Sequence, residues 1–232
     1  MATRVAKSSP GMRLQLGASV VSAARAVDTR LVKARLGRFA RVHGGYVNAQ
    51  RKVDAAESQL RAAQERLGEC DAVQDEAIET LARALVAEGA PRGTPFEGFG
   101  GLPPGKLIRL PFAEEAKAVH QLVAAVQRSK TVSKATIQAA QAADKAARAV
   151  EQALGPIAKL QDAVRDARRA RDAVGQGWES ALAALRRGAR AAADEGAPDL
   201  YATLFPPVVR AVTKKSTPEE PTPTASATPT AA

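Results

Sequence analysis

The sequence predicts an all-α protein: an elongated antiparallel four-helix bundle of long, Ala-rich, coiled-coil-like helices. Three observations carry that expectation. Hydrophobic residues make up 45% of the 232 positions but aromatics only 3%. A core of Ala and aliphatics suits close-packed helices better than a sheet, where β-branched and aromatic side chains dominate. Apolar residues recur at steps of three and four, the spacing of a coiled-coil seam. Gly and Pro cluster at a few points and leave long periodic stretches between them.

Taken in order, residues 1–13 read as a flexible basic N-terminus. The first helix is expected from about Leu14 to Val42, ending at Gly44–Gly45. The second runs from Tyr46 to Glu88 and stops at "EGAP", where Gly89 offers a left-handed cap and Pro91 blocks continuation. Together they form a first hairpin over residues 14–91, followed by a Gly/Pro linker at 92–111. The third helix starts after Pro111, with Glu114 and Glu115 near its positive end, and runs to Leu154. Its middle, "RSKTVSKAT", puts Ser129, Ser133 and Thr136 at seam positions, so a bend or local opening is expected there. Pro156 opens the fourth helix, which reaches a second "EGAP" at Glu195 to Pro198 and completes a second hairpin over 112–212. Residues 213–232, aperiodic and rich in Thr, Pro and Ala, predict a disordered tail.

The repeated "EGAP" suggests a duplicated hairpin. A shift of 107 residues lays Val53, Leu60 and Leu67 on Leu160, Ala167 and Val174, so Val53, Leu60, Leu67, Leu160 and Val174 are the predicted seam. Cys70 falls on the same seam and reads as a small core residue, while Trp178 lies one residue off it and is expected to fill space between helices. Aromatics follow each stop, Phe96 and Phe99, then Tyr201 and Phe205, and read as plugs closing the hairpin ends.

Charge is distributed unevenly. The formal net charge is +10, and residues 1–52, with eleven Lys and Arg against Asp28, account for all of it. Residues 53–91 reverse the sign, with nine acids against three bases. Arg4, Lys7, Arg13, Arg30, Lys33, Arg38 and Arg41 are the candidates for an anionic surface. The simplest use of this charge is internal, the basic first helix lying beside the acidic second. The alternatives are duplex nucleic acid, bound through its phosphates with steep salt dependence, and an anionic membrane.

Catalytic signatures are weak. "GGLPPGKL" at 100–107 has the Gly and Lys spacing of a phosphate loop, but Pro103 and Pro104 remove two N–H donors and Leu107 replaces the hydroxyl. His43 and His120 are the only histidines and neither has a second ligand at metal spacing; His43 reads as a polar helix end. One cysteine allows no internal disulfide. No enzyme activity, metal, cofactor or small-molecule substrate is expected. The function expected is that of a non-catalytic structural or adaptor protein acting through helix–helix association, as a homo-oligomer or with a helical protein partner. A sequence-nonspecific nucleic-acid binder using residues 4–52 is the alternative, and a rod binding an anionic membrane surface the third. A cytoplasmic location is expected, although residues 1–45 also have the Arg-rich, acid-poor character of an organelle transit peptide.

Overall fold

A computed structural model describes residues 9–206. Arg4, Lys7 and the 213–232 tail therefore lie outside the described residues. Every regular element among the described residues is helical: α1 (Pro10–Ala23), α2 (Lys33–Ala87), α3 (Pro104–Leu107), α4 (Phe112–Arg128), α5 (Lys134–Leu154), α6 (Ile157–Ala191) and α7 (Leu200–Leu204). Short 3₁₀ turns at Arg30–Val32 and Glu97–Phe99 complete the list.

The organising element is α2, 55 residues long and so about 80 Å from end to end. Every seventh residue from Val32 to Leu81 faces inward, all buried except the half-buried Leu60. On the other side, α5 and α6 run antiparallel to α2 as one interrupted rod. Thr136 of α5 meets Glu88 just past the end of α2, while Trp178 of α6 meets His43 far back along it. Every seventh residue from Thr136 to Leu185 again faces inward, with Ile157 and Arg171 only half-buried. The seven-residue phase passes through the Gly155–Pro156 break, where Gly155 keeps helical angles. A strict repeat of this kind winds two helices into a left-handed supercoil.

Each end of this pair is thickened by one or two shorter helices. At one end α1 and α7 join α2 and α6 around Phe39, Tyr46, Trp178 and Leu185. At the other, α4 joins α2 and α5 around Ile78, Leu81, Val119 and Val126. Between them only two helices remain, joined by a small cluster of Leu67, Val150 and Ala153.

Four sequence expectations change. The first helix is not a single unit from 14 to 42: it breaks at Asp28, whose carboxylate accepts from the Arg30 backbone N–H at 3.0 Å and holds a turn. Gly44–Gly45 does not end a helix, because Tyr46 and Val53 bury the seam on its far side and offset the cost of about 1 kcal/mol per helical Gly. The third helix reverses direction at 129–133, where Ser133 caps α5 by accepting from the Thr136 N–H. In α6 the seam centres on Val164, Trp178 and Leu185, so Leu160 and Val174 are only half-buried and Trp178 lies on the seam.

The two "EGAP" stops act as read from the sequence. Gly89 and Gly196 have φ of 97° and 93°, and the next N–H in each case reaches back five residues, Ala90 to Leu85 and Ala197 to Ala192. The former phosphate-loop candidate is one helical turn whose Leu107 is buried in the core. Phe96 is fully buried in that same core, and Tyr201 and Phe205 pack at the opposite end.

Candidate anionic-surface interface

Residues 33–52 of the basic stretch and residues 53–87 of the acidic stretch occupy the same helix, α2, one after the other along its axis. The expected internal pairing of a basic first helix with an acidic second helix is therefore geometrically excluded. Charge is instead separated along the rod. The α1/α6/α7 end, residues 10–52 and 171–206, carries nine Lys and Arg against one acid and then four against five, a net +7. The α4/α5 end, residues 68–152, carries ten against eleven, a net −1. The ends are several Debye lengths apart at physiological salt, so the acids of one do not neutralise the bases of the other.

The candidate cations divide into two groups. Arg13 is structural: its side chain is 11% exposed, its Nε donates to Glu179 at 2.9 Å, and its guanidinium lies 5.7 Å from the Tyr46 ring centroid. It can approach because Gly175 has no side chain; a Cβ there would sit 2.4 Å from Arg13 Nη1. Arg30 is exposed but held by Asp28 at 2.6 Å. Lys33, Arg38 and Arg41 are exposed and make no ion pair among the described residues. Lys52 extends the Arg38–Arg41 stripe along the outer face of α2, about three helical turns beyond Arg41.

Gly37, Gly44 and Gly45 lie among these cations, all exposed, and a Cβ on any of them would meet nothing within 4 Å. Nothing inside the described fold requires glycine there. This outer face of α2 is consequently low and bare between its basic side chains.

Behind it lies a rigid aromatic support. Trp178 Nε1–H donates to His43 Nδ1 at 3.2 Å, Phe39 stacks on the His43 ring, and both Phe39 and Tyr46 tilt against Trp178. Accepting at Nδ1 makes His43 the neutral tautomer protonated at Nε2, and burial holds it below the usual histidine value. His43 is therefore a core residue and not a polar helix end. His120, at the other end, has Nδ1 2.7 Å from Asp144 and Nε2 3.4 Å from Glu151. Cys70 is a half-buried free thiol beside Leu67.

No helix among the described residues is long and apolar enough to cross a membrane. No family model, curated protein or solved structure matches the chain.

Proposed function

We propose that this protein is a non-catalytic structural rod that docks through its cationic end onto a polyanion, with duplex nucleic acid as the partner. The observation behind this reading is the set of exposed cations on α2, Lys33, Arg38 and Arg41, which have no acid to pair with among the described residues. Arg38, Arg41 and Lys52 spread over 14 residues of one helix face, about 21 Å, enough to meet several phosphates of one duplex strand. The bare glycines between them let a phosphate backbone approach the helix closely. Such binding is sequence-nonspecific, since phosphate contacts position a protein but carry no base information. The low amphipathicity of α1, which buries only Gly17 and Val20, favours nucleic acid over insertion into a membrane.

Fluorescence anisotropy of a labelled duplex, titrated from low to physiological salt, tests this. The expected result is binding whose log affinity falls linearly with log salt. Replacing Lys33, Arg38 and Arg41 should reduce that slope by about 3. Salt-independent binding, or none at low salt, would overturn the reading, and preference for anionic vesicles over duplex would transfer it to a lipid surface.

Self-association is a second property that we propose, favoured by the two-helix middle. There Leu60 and Leu160 are only half covered, and a second copy laid alongside would complete a four-helix section. Sedimentation equilibrium reads this directly: a dimer supports it and a monomer at micromolar concentration rejects it. The duplication also belongs to this proposal. Here 104 residues, not 107, is the shift that superposes the two buried stripes, taking Val53 to Ile157, Leu60 to Val164 and Leu81 to Leu185. Each repeat is then a short helix followed by a long one, α1–α2 and α4–α5–α6.

A further inference from the structure

At the α4/α5 end, one part of the core departs from the aliphatic pattern. Gln74 occupies a seam position of α2 and is fully buried, yet neither its Nε2 nor its Oε1 has a hydrogen-bond partner. Its amide faces the carboxyl of Glu115, in the first turn of α4, which is 1% exposed and also leaves Oε1 unpartnered. Asp71 and Asp75, one α2 residue-step of three and one of one from Gln74, are half-buried beside them. One carboxylate oxygen from each of Asp71, Asp75 and Glu115 lies within 4.8 Å of the others. No Lys or Arg pairs with any of the three among the described residues. The helix opposite presents Ala143, Ala146 and Ala147, while its own charges are turned elsewhere, Asp144 to His120 and Arg148.

Three acids and an amide around one point, with no protein cation, are costly as they stand. An unpartnered buried polar group costs about 1–3 kcal/mol, and a charged one more. Burial pushes all three carboxyls up, Glu115 to about 7. What satisfies such a set is a cation small enough to touch every oxygen. Hard divalent ions bind oxygens at about 2.0–2.6 Å, so two ligand atoms of one ion lie at most about 5 Å apart, which the cluster meets. Asp71 and Asp75 are open to solvent on one side, leaving room for the waters such ions retain.

We infer that Asp71, Asp75 and Glu115, beside the buried Gln74 amide, form a binding site for one hard divalent cation of the Mg²⁺, Mn²⁺ or Ca²⁺ class. The all-oxygen donor set selects against Zn²⁺ and Cu²⁺, which prefer nitrogen and sulfur. The ion would clamp α4 onto α2, a role separate from the cationic face at the other end of the rod.

The test uses full-length protein stripped with chelator and titrated with MnCl₂. Free aqua Mn²⁺ is followed by electron paramagnetic resonance, and thermal unfolding is measured in parallel. The expected result is one Mn²⁺ per chain with a raised Tm, and competition by Ca²⁺ or Mg²⁺. Glu115→Gln and, separately, the partly exposed Asp71→Asn should each weaken binding at least about tenfold, with helical circular dichroism unchanged. Should Glu115→Gln misfold, Asp71→Asn alone decides. No saturable binding up to about 1 mM, or binding that Asp71→Asn leaves intact, overturns the site. A wild type that binds no Mn²⁺ but is stabilised by Glu115→Gln assigns the cluster to a shared proton and equally overturns it. Duplex binding measured on the same variants stays at the wild-type level, so the two readings fail independently.

Discussion

The two ends of the rod share one pair of long helices and solve the same packing problem with opposite chemistry. At the α1/α6/α7 end the core is aromatic, with Phe39, Tyr46 and Trp178 around a neutral His43, and the surface is strongly cationic. At the α4/α5 end the core is mainly aliphatic, with Phe96 its one fully buried aromatic, around a partly buried acidic and amide cluster, and the surface is nearly neutral. The heptad is indifferent to this difference. Trp178 and Gln74 both occupy every-seventh-residue positions, 104 residues apart. A coiled-coil scaffold fixes where side chains meet and leaves their chemistry free, so one fold carries two unlike ends.

The largest test of that comparison is truncation of one anchor at each end. Trp178→Ala should cost about 3–5 kcal/mol and Leu81→Ala about 2–5 kcal/mol, read by chemical denaturation. Because α2 runs through both ends, each variant should lower one shared transition; two separate transitions would show that the ends fold independently.

In metal-free buffer the ends should respond to pH in opposite directions. Glu115 is raised from 4.5 to about 7, so between these values the native state holds a proton that the unfolded chain has released. Its contribution, of roughly 3 kcal/mol, is present below pH 4.5 and lost as pH rises through about 7. His43 is lowered from 6.5 by burial, so its contribution is present above that value and lost as pH falls below it. Glu115→Gln should remove the loss near pH 7, leaving that from the raised Asp71 and Asp75 at lower pH, and leave the acid loss of His43 in place. Trp178, the only tryptophan, reports the acid event locally through its fluorescence.

A glycine pair sharpens the contrast between packed and bare positions. A Cβ on Gly17 would lie 2.2 Å from His43 Nδ1, and the imidazole is fixed on both sides, so Gly17→Ala should destabilise by about 1–3 kcal/mol. Gly44→Ala meets nothing and should stabilise α2 by up to about 1 kcal/mol, while weakening duplex binding if a phosphate backbone approaches there. Thermal melts of the two variants give the sign.

The all-α class, the helix stops at both "EGAP" sites and the seam at Val53 and Leu67 were readable because each rests on local signals: composition, a positive-φ glycine or a seven-residue step. What was not readable depended on tertiary choices. Gly44–Gly45 looks like a stop, but neighbouring seam residues outweigh two glycines inside a 55-residue helix. The weak seam of "RSKTVSKAT" marked a bend, but the full reversal at 129–133, made by a Ser cap with no Gly or Pro, goes beyond it. Aligning the two halves on their "EGAP" stops set the register three residues off the buried stripe, which displaced Trp178 from the seam. Glu115 did leave a signal: it continues the spacing of Val119, Leu122 and Val126 in α4, so a charged residue sits on an apolar stripe. The charged face was visible as composition, but its freedom from internal partners was not, since that required knowing that basic and acidic segments belong to one continuous helix.

The most direct test of the docking role compares equal changes of charge at the two ends. K33E/R38E/R41E reverses three exposed cations on α2, and K130E/K134E/K145E reverses three exposed ones at the α4/α5 end. Duplex binding is then measured by anisotropy at one fixed low salt concentration. Docking through the cationic end requires that the first variant lose binding and the second retain nearly all of it. Equal losses would show that the duplex responds only to net charge, and would contradict a dedicated interface.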